Sequence, residues 1–391
     1  MIRKTPPHLL AVVTLGAVSQ VGQVLFMREL LMVFHGNELS IGLILAAWLV
    51  WVGVGSHLGG FLVEKISRPR LLLGISAGGT MLALPVTVLL VRGMRGFLGV
   101  LPGAYLSLSD MLVSCLVLMA PACLLFGAQF VFLSGIWRQS EQDRETSGAE
   151  KTYIGEAGGT MLGGIIFTFV MVHYLSPLQS AALAGAAIFA TALFLIIRRP
   201  KARTGGIPGN KAVVAAAVFA FILFSLPFLA EVDDWAYRLQ WSHFAPGHEL
   251  VQMEHSKHGA ISVAQRRDQF SFFQSGHLVF TTAGPETAVS GLEEGEAVDF
   301  SHLAMVQHKD PRRVLLIGGG LRGVLSEILE HPVNRVDYIE LDETLTEAAR
   351  PYLPGRTRRA LDDPRVNLIH TDGRLFTKTT GETYDLVLVD Q

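Results

Sequence analysis

Three glycines, Gly318, Gly319 and Gly320, follow directly on the apolar run VLLI in the last quarter of the chain. Glycine lets a ligand approach the backbone closely, and the amides that open a following helix are free to bind it. Glu340 stands 22 residues after Gly318, at the end of the next apolar run. That spacing suits a carboxylate that accepts hydrogen bonds from two ribose hydroxyls. Asp372 and Gly373 follow a third run, VNLIH, where an adenine amino group would be met. A glycine run alone would only turn the chain; with the spaced acid and the Asp-Gly pair it points to an adenosine-bearing cofactor.

Such groups converge only if strands deliver them to one edge. From Arg312 the chain alternates strand and helix patterns: RRVLLIGGG, the amphipathic RGVLSEILEH, RVDYIELD, the helical ETLTEAARPYL, VNLIH, a short helix from Gly373, and YDLVLVD. This is the opening of a doubly wound, Rossmann-like parallel sheet, whose ligand lies beyond the carboxyl ends of its strands. Ahead of it, ELVQMEHS, GAISVAQRR, QFSFFQ and HLVFTTA are short strands separated by Gly259 and Ser275-Gly276, an antiparallel layer. A polar helical stretch over 286–308 connects the two and ends at Lys309-Asp310-Pro311.

The rest of the chain is of another kind. Residues 1–230 hold 16 Lys+Arg and 9 Asp+Glu, against 16 and 25 in residues 231–391. The first part is therefore about 11% charged and the second about 25%, the second being ordinary for a soluble domain. Seven apolar runs, 9–31, 39–62, 71–92, 108–136, 155–175, 177–197 and 211–230, are each long enough to cross a bilayer. The expected architecture is an α-helical multi-pass membrane bundle over 1–230, an antiparallel β layer and connecting helix over 231–311, and a partial Rossmann-like domain over 312–391. Glycines at four-residue spacing, Gly55/Gly59, Gly74/Gly78 and Gly155/Gly159/Gly163, predict close helix packing. Among the polar residues in or beside the spans, Arg28 and Glu29 read as interfacial, and Glu156 and His173 bracket the fifth span. The two cysteines, Cys115 and Cys123, would be held about 12 Å apart along one helix, too far for a disulfide. No Cys/His cluster has metal-ligand spacing, so no metal is expected. The net charge of −2 gives no sign of a nucleic-acid partner.

RRVLLIGGGLRGVLSEILEHPVNRVDYIELD, DPRVNLIHTDGRLF and YDLVLVD resemble the spermidine synthase family, the polyamine aminopropyltransferases. The resemblance covers about residues 240–391, and the glycine-rich stretch from Tyr153 to Leu175 resembles the membrane-fused branch of that family. It implies transfer of an aminopropyl group from decarboxylated S-adenosylmethionine to putrescine or a related small amine. It also implies that Asp390 is the catalytic acid-base aspartate, Glu340 the ribose ligand and Asp372 the adenine-side ligand. The chain departs from the family pattern where Leu321 and Arg322 stand in place of the aspartate that follows the glycines. It departs again at Glu296-Ala297-Val298 and at His258-Gly259, where the family has amine-binding groups. Gln391 directly follows Asp390, so the resemblance implies a carboxyl-truncated domain.

Two alternatives stand beside aminopropyl transfer. One is another transferase using intact S-adenosylmethionine, which Arg322 would tolerate. The other is a non-catalytic membrane carrier or sensor that binds a nucleoside or polyamine; an oligomer is compatible with any of the three. Thirteen Lys+Arg flank the spans on the amino-terminal side and three, Arg92, Arg95 and Arg238, on the other. The positive-inside rule then places the amino terminus in the cytoplasm and, after seven crossings, the tail outside. S-adenosyl cofactors are made inside, so the expectation set against that count is a plasma-membrane protein with its soluble domain on the cytoplasmic face.

Overall fold

The computed structural model describes residues 7–35, 38–101, 104–140, 148–197, 209–283 and 292–390. They divide into two compact units, Met1–Ala245 and Pro246–Gln391. The division falls later than the change in composition at residue 230 because one helix, α8 (Gly209–Phe244), runs straight through it. The flanking cations Arg3, Lys4, Arg144, Arg198, Arg199, Lys201 and Arg203, the start of the stretch at 286–291, and Gln391 lie outside the described residues.

The first unit is helical: α1 (Pro7–Val33), α2 (Glu38–Ile66), α3 (Pro69–Leu98), α4 (Leu108–Ser140), α5 (Gly148–Ile166) running through a π turn at Phe167–Met171 into α6 (Val172–Tyr174), α7 (Pro177–Ile197) and α8. Among the described residues six helices are long and apolar enough to cross a membrane, α5 and α6 counting as one; the seventh run, 211–230, lies within α8. The glycine spacing brings backbones close in α2 and α5, whereas Gly74 and Gly78 of α3 meet only the side chains of Ile196 and Phe189. A methyl on Gly55 or Gly59 of α2 would overlap the backbone of Leu124 or Ala128 in α4. One on Gly159 or Gly163 of α5 would overlap Val13 or Ala17 in α1.

Two readings of charge in this unit are corrected. Glu29 is buried among the helices, and Arg92 and Arg95, counted as flanking charges, are buried within α3. Arg92 gives Nε and Nη2 to the Glu29 carboxylate at 2.8 and 3.1 Å, and Nη1 to Asp233 of α8 at 2.7 Å. Its guanidinium carbon lies 3.6 Å from the centre of the Tyr237 ring, and the Tyr237 hydroxyl donates to Glu29. Arg95 donates to the carbonyls of Val33 and Ala104. A long, bidentate donor can reach partners on other helices, so satisfying these cations inside the bundle replaces solvating them at its edge.

The second unit opens with the antiparallel sheet β1 (Glu249–Ser256), β2 (Gly259–Arg266), β3 (Gln269–Gln274) and β4 (His277–Ala283), paired in sequence order, followed by α9 (Leu292–Met305). Next come β5 (Arg313–Ile317), α10 (Val324–Ile328), β6 (Arg335–Glu340), α11 (Glu343–Ala349), α12 (Gly355–Leu361), β7 (Val366–His370), α13 (Gly373–Thr379) and β8 (Leu386–Val389). The strands β5–β8 form a parallel sheet in the order β7-β6-β5-β8. Both faces are covered, which is why β5 reads as an unbroken apolar run. Val314, Leu316 and Tyr338 share one core with Ile261, Val263, Phe272 and Phe280 of the antiparallel layer.

The helix expected over RGVLSEILEH is only α10, five residues long and wholly buried. Gly323 stands before it at φ 111°, a left-handed conformation from which a regular helix cannot be continued backwards. A short 3-10 turn over Gly320–Arg322 fills the gap. Helix α12 was not foreseen; its residues GRTRRAL carry too little apolar periodicity to announce a helix.

Candidate active site

The register of the parallel sheet brings the chemical residues together. Ile317 lies opposite Ile339 on one side and Val389 on the other, and Ile339 opposite Ile369. At this edge stand Glu340, the last residue of β6, and Gly318, Thr371 and Asp390, the first residues beyond β5, β7 and β8. Backbone bonds hold them: Gly318 N to Ile339 O at 2.9 Å, Asp390 N to Ile317 O at 2.9 Å and Thr371 N to Glu340 O at 3.1 Å.

A cavity of about 700 Å³ opens above this edge, lined among others by Gly318, Gly319, Glu340, Asp372, Gly373, Arg322 and Asp390. Gly320 does not line it. A methyl there would strike the ring of the buried Tyr338, so this glycine serves packing under the loop. Gly318 and Gly319 adopt φ 74° and 70°, and a side chain on either would overlap Asp390. The glycine turn thus does two things, bending left-handed and leaving room for the carboxylate of the fourth strand. Gly373 opens α13, and a methyl there would come within 2.5 Å of Ile317 Cγ2.

Each acid has its own surroundings. Glu340 accepts from the Tyr338 hydroxyl through Oε2 at 2.6 Å and from the Leu341 amide through Oε1 at 2.9 Å. These bonds fix the plane of the carboxylate and still leave it acceptor capacity for a diol. Burial pushes the Glu340 carboxyl above the usual range, and the bonds from Tyr338, Leu341 and Asp342 only partly offset this. Asp372 caps α13, its Oδ1 accepting from the amides of Arg374 and Leu375 at 2.7 and 3.2 Å. Those amides hold its carboxyl below the usual range. Asp390 is gripped side-on by Arg322, Nε to Oδ2 at 2.5 Å and Nη2 to Oδ1 at 2.6 Å.

Sequence reasoning missed three members of this arrangement. The Arg322–Asp390 pair joins residues 68 apart in the chain. Tyr338 orients Glu340, and the only signal was a polar tip in an otherwise apolar strand. Gln274, at the end of β3, lines the cavity and donates to Asp342 Oδ2 at 3.0 Å, where Ser256 Oγ also donates at 2.5 Å. Asp342 thereby ties the antiparallel layer to the parallel sheet beside the site. His258 lies in the turn before β2 and Gly259 opens that strand, and neither is among the residues lining the cavity. No group of three or more His, Cys, Asp or Glu among the described residues could hold a metal ion.

Residues 293–391 match the family model described as the spermine/spermidine synthase domain. The polyamine aminopropyltransferase 1 of Pseudomonas aeruginosa is 40% identical over 91 residues, 23% of this chain and 32% of that protein. The polyamine aminopropyltransferase of a Ruegeria species is 37% identical over 162 residues, 40% of this chain and 55% of that one. A spermidine synthase solved with the transition-state analogue AdoDATO is 26% identical, with a TM-score of 0.32 over 37% of this chain and 48% of that one. The chain thus spans about a third to about half the length of these curated relatives. Residues 293–391 thus match the spermine/spermidine synthase domain, and over that part of its length the chain is similar to the polyamine aminopropyltransferases.

Proposed function

We propose that the second unit transfers an aminopropyl group from decarboxylated S-adenosylmethionine to a small amine. The observation that carries this reading is the placement of Asp390 against the Gly318–Gly319 turn, in one cavity with Glu340 and Asp372. The glycine turn presents bare backbone to the adenosine moiety, Glu340 takes the two ribose hydroxyls, and Oδ2 of Asp372, held only loosely by the exposed Arg374 at 3.7 Å, serves the adenine side. The neutral amine attacks the carbon beside the sulfonium. A C–N bond forms, the C–S bond breaks with its electron pair leaving on sulfur, and methylthioadenosine departs. The proton released from the new ammonium passes to Asp390, which must be an ionised acceptor within hydrogen-bond reach of the nitrogen.

The test is release of methylthioadenosine from decarboxylated S-adenosylmethionine and an amine by the full chain in detergent. Turnover of intact S-adenosylmethionine instead would assign the fold to a different transfer, and turnover of neither would favour a carrier or sensor. The ribose contact has its own signature. Glu340 binds a diol as the anion, so its raised pKa makes methylthioadenosine affinity fall, as pH drops, earlier than an ordinary glutamate would allow. Calorimetric titration should show a loss approaching about tenfold per pH unit below that pKa. In Glu340→Gln the affinity should be lower and the profile flat over the same range; a wild-type profile that is also flat would remove the ribose assignment.

The first unit is proposed to sit in the plasma membrane as a multi-pass bundle, with the domain on the cytoplasmic face where S-adenosyl cofactors are made. Support comes from large apolar side chains that its long helices expose, such as Leu49, Leu82 and Phe169, at 70%, 67% and 72%. Both native cysteines are buried, so Lys309→Cys supplies a reporter at an exposed turn. A membrane-impermeant maleimide should label it in inverted vesicles and not in intact cells; labelling in intact cells would place the domain outside.

A further inference from the structure

We infer that Arg322 makes the acceptor end of the cavity select an amine that carries its own carboxylate over a diamine. This rests on the aminopropyl-transfer reading and names the class of acceptor. Of the three acids that read a ligand in the cavity, only Asp390 is matched by a bidentate guanidinium. That pair occupies the edge of the guanidinium formed by Nε and Nη2. The remaining nitrogen, Nη1, lies 3.6 Å from Glu296 Oε2, a carboxylate whose side chain is 71% exposed. A solvated carboxylate at that distance is a weak competitor, so a ligand anion can take its place on Arg322.

A buried donor lies beyond Arg322. The same residue lines a second cavity of about 360 Å³ together with Ser326, Thr357 and Arg356. Ser326 Oγ is buried there with no hydrogen-bond partner among the described residues. Arg356 is taken up by Glu327 at 2.5 Å and Glu330 at 3.0 Å, and Asp299, the other acid in that wall, is exposed to solvent, so Arg322 is the cation left to meet a ligand there. An acceptor amine bonded to Asp390 directs its far end past the guanidinium. A second ammonium meets a like charge there; a carboxylate meets an unlike one, in a half-buried position where the difference is not screened away.

The probes are 4-aminobutyrate and 1,4-diaminobutane, which share a four-carbon chain and differ in the distal group. Each is titrated calorimetrically into the full chain with methylthioadenosine present. The wild type should bind 4-aminobutyrate at least about tenfold more tightly. Arg322→Gln, which keeps shape and removes charge, should erase or reverse the preference, and Arg322→Lys should keep its sign. Tighter binding of the diamine by the wild type, absence of 4-aminobutyrate binding, or a preference unchanged in Arg322→Gln overturns the inference. It is also overturned if the wild type binds S-adenosylmethionine more tightly than its decarboxylated form and Arg322→Gln removes that difference, which would assign the guanidinium to the cofactor's carboxylate. Failure of the aminopropyl reading is seen separately, as no methylthioadenosine release with either amine while the binding preference stands.

Discussion

Replacing Asp390 with asparagine is expected to lower kcat for methylthioadenosine release by about 10²–10⁴-fold, the usual contribution of a positioned general base. Asparagine matches aspartate in shape, and the backbone bond from residue 390 to Ile317 O keeps β8 in register, so the cavity should persist. Two losses then act together: the proton acceptor disappears, and Arg322 loses the partner that fixes it, leaving Glu296 as its neighbouring acid. Methylthioadenosine affinity should change by no more than about twofold, because Glu340 and Asp372 are untouched and hold the nucleoside from the other strands. Residual turnover should rise with pH as more of the amine is neutral without help. An Asp390→Asn enzyme with wild-type kcat would remove the catalytic assignment while leaving the binding site intact.

What the sequence made legible followed from periodicity and from strand ends. Glu340, Asp372 and Asp390 each follow an apolar strand in a parallel sheet, and such strands end on one edge, so their convergence was readable from order alone. The hairpin layer was readable for the same kind of reason, through alternating strands cut by glycine turns. What was hidden depends on side chains that reach across the fold. Arg322 stood out only as a departure from the family pattern, and its pairing with Asp390, brought beside it by the pairing of β5 with β8, could not be read from the chain. Gly320 looked like its two neighbours, yet Tyr338 lies directly beneath it, a residue on the adjacent strand whose register with Leu316 only the sheet reveals. In the helical unit hydropathy located the long helices but gave the wrong surroundings for Glu29, Arg92 and Arg95. A window average records how many charges a segment carries and not whether another helix neutralises them.

Arg92 carries the largest expected effect on stability. Arg92→Leu should destabilise the helical unit by about 3–5 kcal/mol, the range for breaking a buried ion pair from one side. Glu29 and Asp233 are each 3% exposed, and both accept a charge-assisted bond from this guanidinium. Without it, two carboxylates remain side by side in a medium that solvates neither; Tyr237 and the Leu178 amide supply one bond apiece. Four helices meet at this point, because Glu29 lies on α1, Arg92 on α3, Leu178 on α7 and both Asp233 and Tyr237 on α8. The loss should therefore be cooperative, seen as a lower midpoint of thermal aggregation in detergent and not as fraying of one helix. Neutralising all three charges in Glu29→Gln/Arg92→Leu/Asp233→Asn should restore most of the stability, since the penalty lies in the stranded anions and not in the missing attraction. A single Arg92→Leu variant as stable as the wild type would mean that water or lipid headgroups reach these carboxylates. The triple variant remaining as unstable as the single one would mean that the shape of the guanidinium stacked on Tyr237 holds the four helices together, more than its charge does.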